Sequence, residues 1–123
     1  MKSIEELLTH KEIRQFEPVG SRVTCKPPPM DTDIDYLILA HNDWDFEEIL
    51  MLNGFICEGD YRGDDFTSLR RGKENVILTS KINFFDQFMV ATKMAKKFNL
   101  LKKKDRIDLF NLVIDGAYPD YTN

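Results

Sequence analysis

Asp33-Ile34-Asp35 opens directly onto the apolar run Tyr36-Leu37-Ile38-Leu39-Ala40, and no other stretch constrains the fold as strongly. The run reads as a buried strand. Side chains alternate along a strand with period two, so Asp33 and Asp35 must project from the same face. Adjacent carboxylates repel unless a cation sits between them. Hard divalent cations such as Mg²⁺ take one or two carboxylates and complete their shell with water and phosphate oxygens. Upstream, Gly20-Ser21-Arg22 reads as a turn able to offer backbone N–H groups and a hydroxyl to such a phosphate. Metal and phosphate would then meet at one point.

The remaining pattern predicts an α+β domain. A short helix over Ile4 to Thr9 has Ser3 as N-cap and Glu5-Glu6 in its first turn. A strand at Ile13 to Pro18 delivers the chain into Gly20-Ser21. The segment Val23 to Thr32 contains Pro27-Pro28-Pro29, which predicts an extended, non-helical loop beside the site. Asp43 is placed to cap a helix with Trp44, Phe46, Ile49, Leu50 and Leu52 on its apolar face, ending at Asn53-Gly54. Phe55-Ile56-Cys57 reads as a strand, and Phe66 to Arg70 with Asn75 to Ser80 as a hairpin through Gly72. From Phe84 to Leu101 the spacing turns helical, with Phe85, Phe88, Met89, Thr92, Ala95 and Phe98 inward. A last helix over Lys104 to Asp115 turns Ile107, Phe110, Val113 and Ile114 inward and stops at Gly116. These elements imply a small mixed sheet covered mainly on one side by helices, with a C-terminal helical pair.

Gly20-Ser21 at the end of a strand, a loop, and Asp33-x-Asp35 opening the next strand together resemble the nucleotidyltransferase superfamily, typified by DNA polymerase beta and the minimal nucleotidyltransferases. The resemblance covers roughly residues 13 to 80. The runs Phe66 to Arg70 and Asn75 to Thr79, with the helical pair from Phe84 to Gly116, are also similar to short uncharacterised proteins of tailed phages. The resemblance implies a sheet of nucleotidyltransferase type. It further implies that Asp33 and Asp35 bind Mg²⁺ or Mn²⁺ and act in catalysis, while Gly20 and Ser21 hold the triphosphate of an NTP.

Each site residue also has a plainer reading. Asp33 and Asp35 could be solvated acids before a buried strand, and Gly20-Ser21 an ordinary turn. Arg22 could reach the same phosphates or lie on the surface. Ser68 and Arg70 share a hairpin face and either line the nucleotide pocket or serve cross-strand pairing. The family's third carboxylate, which helps hold the metal that activates the attacking hydroxyl, meets Asn75 here, and Asn75 cannot supply an anionic ligand. Glu74, one residue away, faces oppositely in a regular strand, although a bulge would reverse that. Glu58, Asp64 and Asp65 are the other candidates.

At 123 residues the chain is expected to form one domain, 1–123, and 42% hydrophobic residues with nine Phe supply its core. Two cysteines make no disulfide framework, and no charged-then-apolar leader or bilayer-length apolar run is present, so a soluble, cytoplasmic protein is expected (host cytoplasm if phage-encoded), with no membrane partner. His10 and His41 lack cysteines at zinc-ligand spacing, and neither a Ser-His-Asp constellation nor a Walker-type Gly-Lys-Ser/Thr appears. The net charge of −4 argues against tight nonspecific DNA binding, yet bases gather between Lys93 and Arg106. They either guide a polyanion such as tRNA or form a solvated helical surface.

Two functions follow. One is Mg²⁺-dependent transfer of a nucleoside monophosphate from an NTP to a hydroxyl of RNA or protein. The other is a catalytically impaired domain of the same type that binds a nucleotide, nucleic acid or protein, such as a phage factor acting on a host component. Gly20-Ser21 and the Asp pair favour the first, and Asn75 favours the second.

Overall fold

The computed structural model describes residues 1–29, 33–58 and 65–114. Its elements run α1 (Ile4–Leu7), β1 (Ile13–Val19), α2 (Ser21–Thr24), β2 (Ile34–Ala40), α3 (Asp43–Leu52), β3 (Ile56–Cys57), β4 (Thr67–Arg71), β5 (Glu74–Thr79), α4 (Ile82–Phe98) and α5 (Lys103–Ile114). The fold class is α+β, and α4 with α5 forms the C-terminal helical pair. Among the described residues no helix is long and apolar enough to cross a membrane.

The five strands lie in the order β1-β2-β5-β4-β3. β2 pairs antiparallel with β1 and parallel with β5, so the sheet is mixed. The parallel step sets Asp35 beside Asn75 and Ile34 beside Glu74. β4 and β5 form the expected hairpin, tighter by one residue on each side because Arg71 and Glu74 are themselves paired. Gly72, the first of the two residues left to turn, has a φ of 59°, the positive value a two-residue hairpin loop requires there.

Helices cover both faces of the sheet rather than mainly one. Ile38, Ala40, Leu69, Val76 and Leu78 meet α1 and α3 on one side, where Phe46 and Leu50 are fully buried. Val19, Leu37 and Leu39 meet Phe84 and Phe85 of α4 on the other, with Ile114 of α5 partly buried against them. Burying each large side chain contributes roughly 1.5–3 kcal/mol. Both layers therefore hold β2 in place.

Several local expectations shift. Asn42, not Asp43, caps α3, accepting from the Asp45 backbone N–H at 3.2 Å, while Asp43 takes the first helical position. Within α3, Trp44 and Leu52 are 73% and 74% exposed, because the contact face is narrow and Phe46 and Leu50 fill it. α4 ends at Phe98, where Asn99 adopts a left-handed φ of 49°, and Phe98 is 58% exposed instead of inward. Ile107 is exposed as well, since α5 touches the domain along a single stripe and buries none of its residues fully. The segment after Gly20 is not extended from Val23 as expected. Val23 and Thr24 each donate to the Gly20 carbonyl at 3.0 Å, making the single turn α2 before the prolines begin. Gly116 lies outside the described residues.

Candidate functional site

Asp35 is the second residue of β2, and three neighbours define its carboxylate. The first is Gly20, just past the end of β1, which is held over Asp35 because Val19 and Asp35 are paired. Gly20 has φ 80° and ψ −172°, a region open to glycine alone. A Cβ built there would meet Asp35 Oδ2, so backbone and carboxylate are in direct contact. The second neighbour is Asn75, whose Nδ2 donates to Asp35 Oδ1 at 3.0 Å. Asn75 Oδ1 in turn accepts from the Ser68 hydroxyl at 3.1 Å. The third is Asp33, close enough to act on Asp35 electrostatically.

Burial is the main influence on Asp35 and pushes its carboxyl above the ordinary carboxylate range. The Asn75 hydrogen bond opposes this, the charge of Asp33 adds to it, and Arg70 and Arg22 pull the other way. Half-exposed Asp33 stands immediately before β2, where the Ile34 N–H donates to the Lys73 carbonyl at 2.7 Å and fixes the strand's entry. Its Oδ2 lies 2.8 Å from Arg70 Nη1, and Arg70 Nε lies 2.7 Å from Glu58 Oε1. Arg70 therefore bridges two carboxylates and stays charged.

A cleft of about 750 Å³ opens over this cluster. Gly20, Ser21, Asp33, Asp35 and Asn75 line it together. Arg22, Ser68, Arg70 and Glu74 do not line it, although Ser68 and Arg70 hold groups that do. Glu74 faces away from the site, as regular strand alternation dictates. It is paired with Arg71 at 2.8 Å, and Arg71 also donates to the carbonyls of Lys2 and Asn53. No bulge interrupts β5, so Glu74 is removed from the candidates for a third ligand. Glu58 is held by Arg70, and Asp65 lines the cleft with its carboxylate 2.7 Å from Lys81 Nζ. Asp64 lies outside the described residues. Among those described, no three His, Cys, Asp or Glu side chains converge as a metal-binding group.

The donor set is thus two carboxylates, because Asn75 turns its amide nitrogen to Asp35 and its oxygen to Ser68. That suits one hard divalent cation completed by phosphate and water, and falls short of the carboxylates that a pair of cations needs. The far wall of the cleft was not anticipated as part of the site. Phe66 and Phe84 stack there with ring centroids 5.2 Å apart, and α5 contributes Lys103, Arg106 and Phe110. These three stand at helical spacing on one stripe of α5, where the sequence offers Lys103 and Arg106 either as polyanion guides or as solvated surface, and Phe110 as core.

No protein-family profile matches the chain, and no curated protein matches it. Among solved structures, the crystal structure of conserved protein GrpB from Enterococcus faecalis is similar over 94% of this chain and 88% of that one, with 14% identity and a TM-score of 0.48.

Proposed function

We propose that this chain is a nucleotidyltransferase-type domain that takes up an NTP with one Mg²⁺ or Mn²⁺ and transfers its nucleotidyl group slowly to a hydroxyl of RNA or protein. The observation that carries this reading is the contact of Gly20 with Asp35, beside Asp33, on the floor of a single cleft. A glycine forced against a carboxylate keeps open the space a phosphate needs. A purely structural turn has no use for neighbouring like charges.

Asp33 and Asp35 would hold the cation, which supplies Lewis-acid polarisation of the phosphate oxygens. Gly20 and Ser21 would orient the triphosphate through backbone N–H groups and the Ser21 hydroxyl. Asn75 holds the Asp35 carboxylate through its amide nitrogen. In transfer, the acceptor oxygen bonds to the α-phosphorus, the α–β bridging bond breaks and pyrophosphate leaves. The hydroxyl proton passes to water, because Asn75 cannot accept it. That missing base makes the reaction slow.

The Asn75–Asp35 hydrogen bond also favours a second reading, in which the domain binds nucleotide without transfer. Incubation with each labelled NTP, Mg²⁺ or Mn²⁺, and RNA and protein acceptors tests both. Label transfer lost in Asp33→Ala/Asp35→Ala supports the enzyme. Metal-dependent binding by calorimetry without transfer supports the module, and absence of metal-dependent binding refutes both.

A further inference from the structure

Between Lys93 and Arg106 stand seven basic residues and a single acidic one, Asp105. Lys93, Lys96 and Lys97 follow helical spacing on the last turns of α4, and Lys102, Lys103 and Lys104 open α5. All six lysines are exposed. Lys104 pairs with Asp108 at 2.8 Å, and the other five have no carboxylate partner among the described residues. The corner between the helices is rigidly built. Asn99 exchanges hydrogen bonds with the backbone of Lys26 at 2.9 and 3.2 Å, which brings a further exposed lysine to the same place. Arg106 Nη1 reaches the carbonyls of Leu100 and Leu101 at 2.8 Å each, and Cys25 Sγ.

Helix electrostatics account for only half of this charge. Lys96 and Lys97 complement the negative end of α4. Lys102, Lys103 and Lys104 sit at the positive end of α5, where cations are unfavourable. Lys104 is offset by Asp108, whereas Lys102 and Lys103 are not explained by helix electrostatics. Phe98, next to Lys97 in the chain, is 58% exposed. Cations alternating with an unburied aromatic ring are the elements of a platform for unpaired bases, with phosphates on the lysines and a base on the ring.

We propose that the α4–α5 corner binds single-stranded RNA. Lys103 and Arg106 also line the cleft that holds Asp33 and Asp35, so the basic track runs from the corner into the site. RNA binding stands on the corner's own residues, whereas its role as acceptor in transfer rests on the function proposed above. The acidic total charge keeps the affinity modest and sensitive to salt.

The test is fluorescence anisotropy of the full chain with a labelled, unstructured RNA oligonucleotide at low salt. Saturable binding in the micromolar range is expected, weakening steeply with added salt. Lys97→Glu/Lys102→Glu/Lys103→Glu should weaken it at least tenfold and flatten the salt slope, and Phe98→Ala should weaken it roughly fivefold or more. Lys102→Glu and Lys103→Glu suit the positive end of α5, whereas Lys97→Glu carries a small cost at the negative end of α4, and thermal melts of both variants verify that they fold. Unchanged affinity in either variant overturns the proposal. So does a duplex RNA or a polyglutamate of equal charge that binds as tightly, since the first excludes base stacking and the second points to an acidic protein partner. RNA binding that persists while Mg²⁺-NTP binding is absent refutes the transfer reading and leaves this one standing.

Discussion

Asn75 Nδ2 and Asp35 Oδ1 meet at 3.0 Å across the parallel pair of β2 and β5, so an amide donates where the proposed function would call for a further carboxylate. Asn75→Asp replaces that donor with a like charge. The folded protein should lose about 1–3 kcal/mol in metal-free buffer, the cost of leaving a partly buried carboxylate without its hydrogen bond. Mg²⁺ should then raise the melting temperature of the variant more than that of the parent, and nucleotidyl transfer should increase. Scanning calorimetry with and without Mg²⁺ measures the first, and label transfer the second.

Gly20→Ala tests the contact that shapes the cleft floor. The new Cβ would overlap Asp35 Oδ2, and alanine at φ 80°, ψ −172° carries backbone strain of about 1–3 kcal/mol before any displacement of the aspartate. Urea unfolding should show at least that loss. Nucleotide binding measured by calorimetry should disappear with it.

Burial raises the Asp35 carboxyl pKa from its ordinary value of 3.8 in the folded protein. Between the unfolded and folded values the native state binds more protons, so stability falls as pH rises through that interval. Above it, in metal-free buffer, the ionised carboxylate is a standing cost. Asp35→Asn keeps the acceptor for Asn75 and removes the charge. Its melting temperature should exceed that of the parent at pH 7, and the gap should close as the pH drops below the carboxylate range. A variant less stable at pH 7 and equally so at pH 3.5 would contradict the assignment.

Arg70 competes with any cation for Asp33. Arg70→Met should cost only about 0–1 kcal/mol, because this ion pair is more than a third exposed and screened by solvent. Freed of the guanidinium, Asp33 and Glu58 deepen the negative potential, and Mn²⁺ should bind more tightly, as read by electron paramagnetic resonance. Weaker Mn²⁺ binding in this variant would mean that Arg70 holds Asp33 in its useful orientation rather than competing for it.

Period-two and helical spacing located the strands and helices closely, and the Asp pair with Gly20 proved to be a single cluster. The missed features have identifiable causes. Tyr36 to Ala40 is apolar at every position, the pattern of a strand buried on both faces, but the run does not say which helices supply the second layer. Trp44, Leu52, Phe98 and Ile107 matched an inward spacing because helical spacing marks a stripe without saying how wide the partner surface is. Arg70 was legible as a neighbour of Ser68 on one face, but its bond to Asp33 joins β4 to the start of β2, a contact set by strand order. Nor does local sequence show that β5 lies next to β2, which is what makes Asn75 the partner of Asp35.

The two sides of the cleft are built to different standards. Its floor belongs to strands clamped between two apolar layers and should exchange amide hydrogens only when the whole domain unfolds. Its outer wall is α5, which supplies six lining side chains yet buries none of them fully. Such a helix detaches at lower cost than global unfolding, so its amides should exchange well before those of the strands that form the floor.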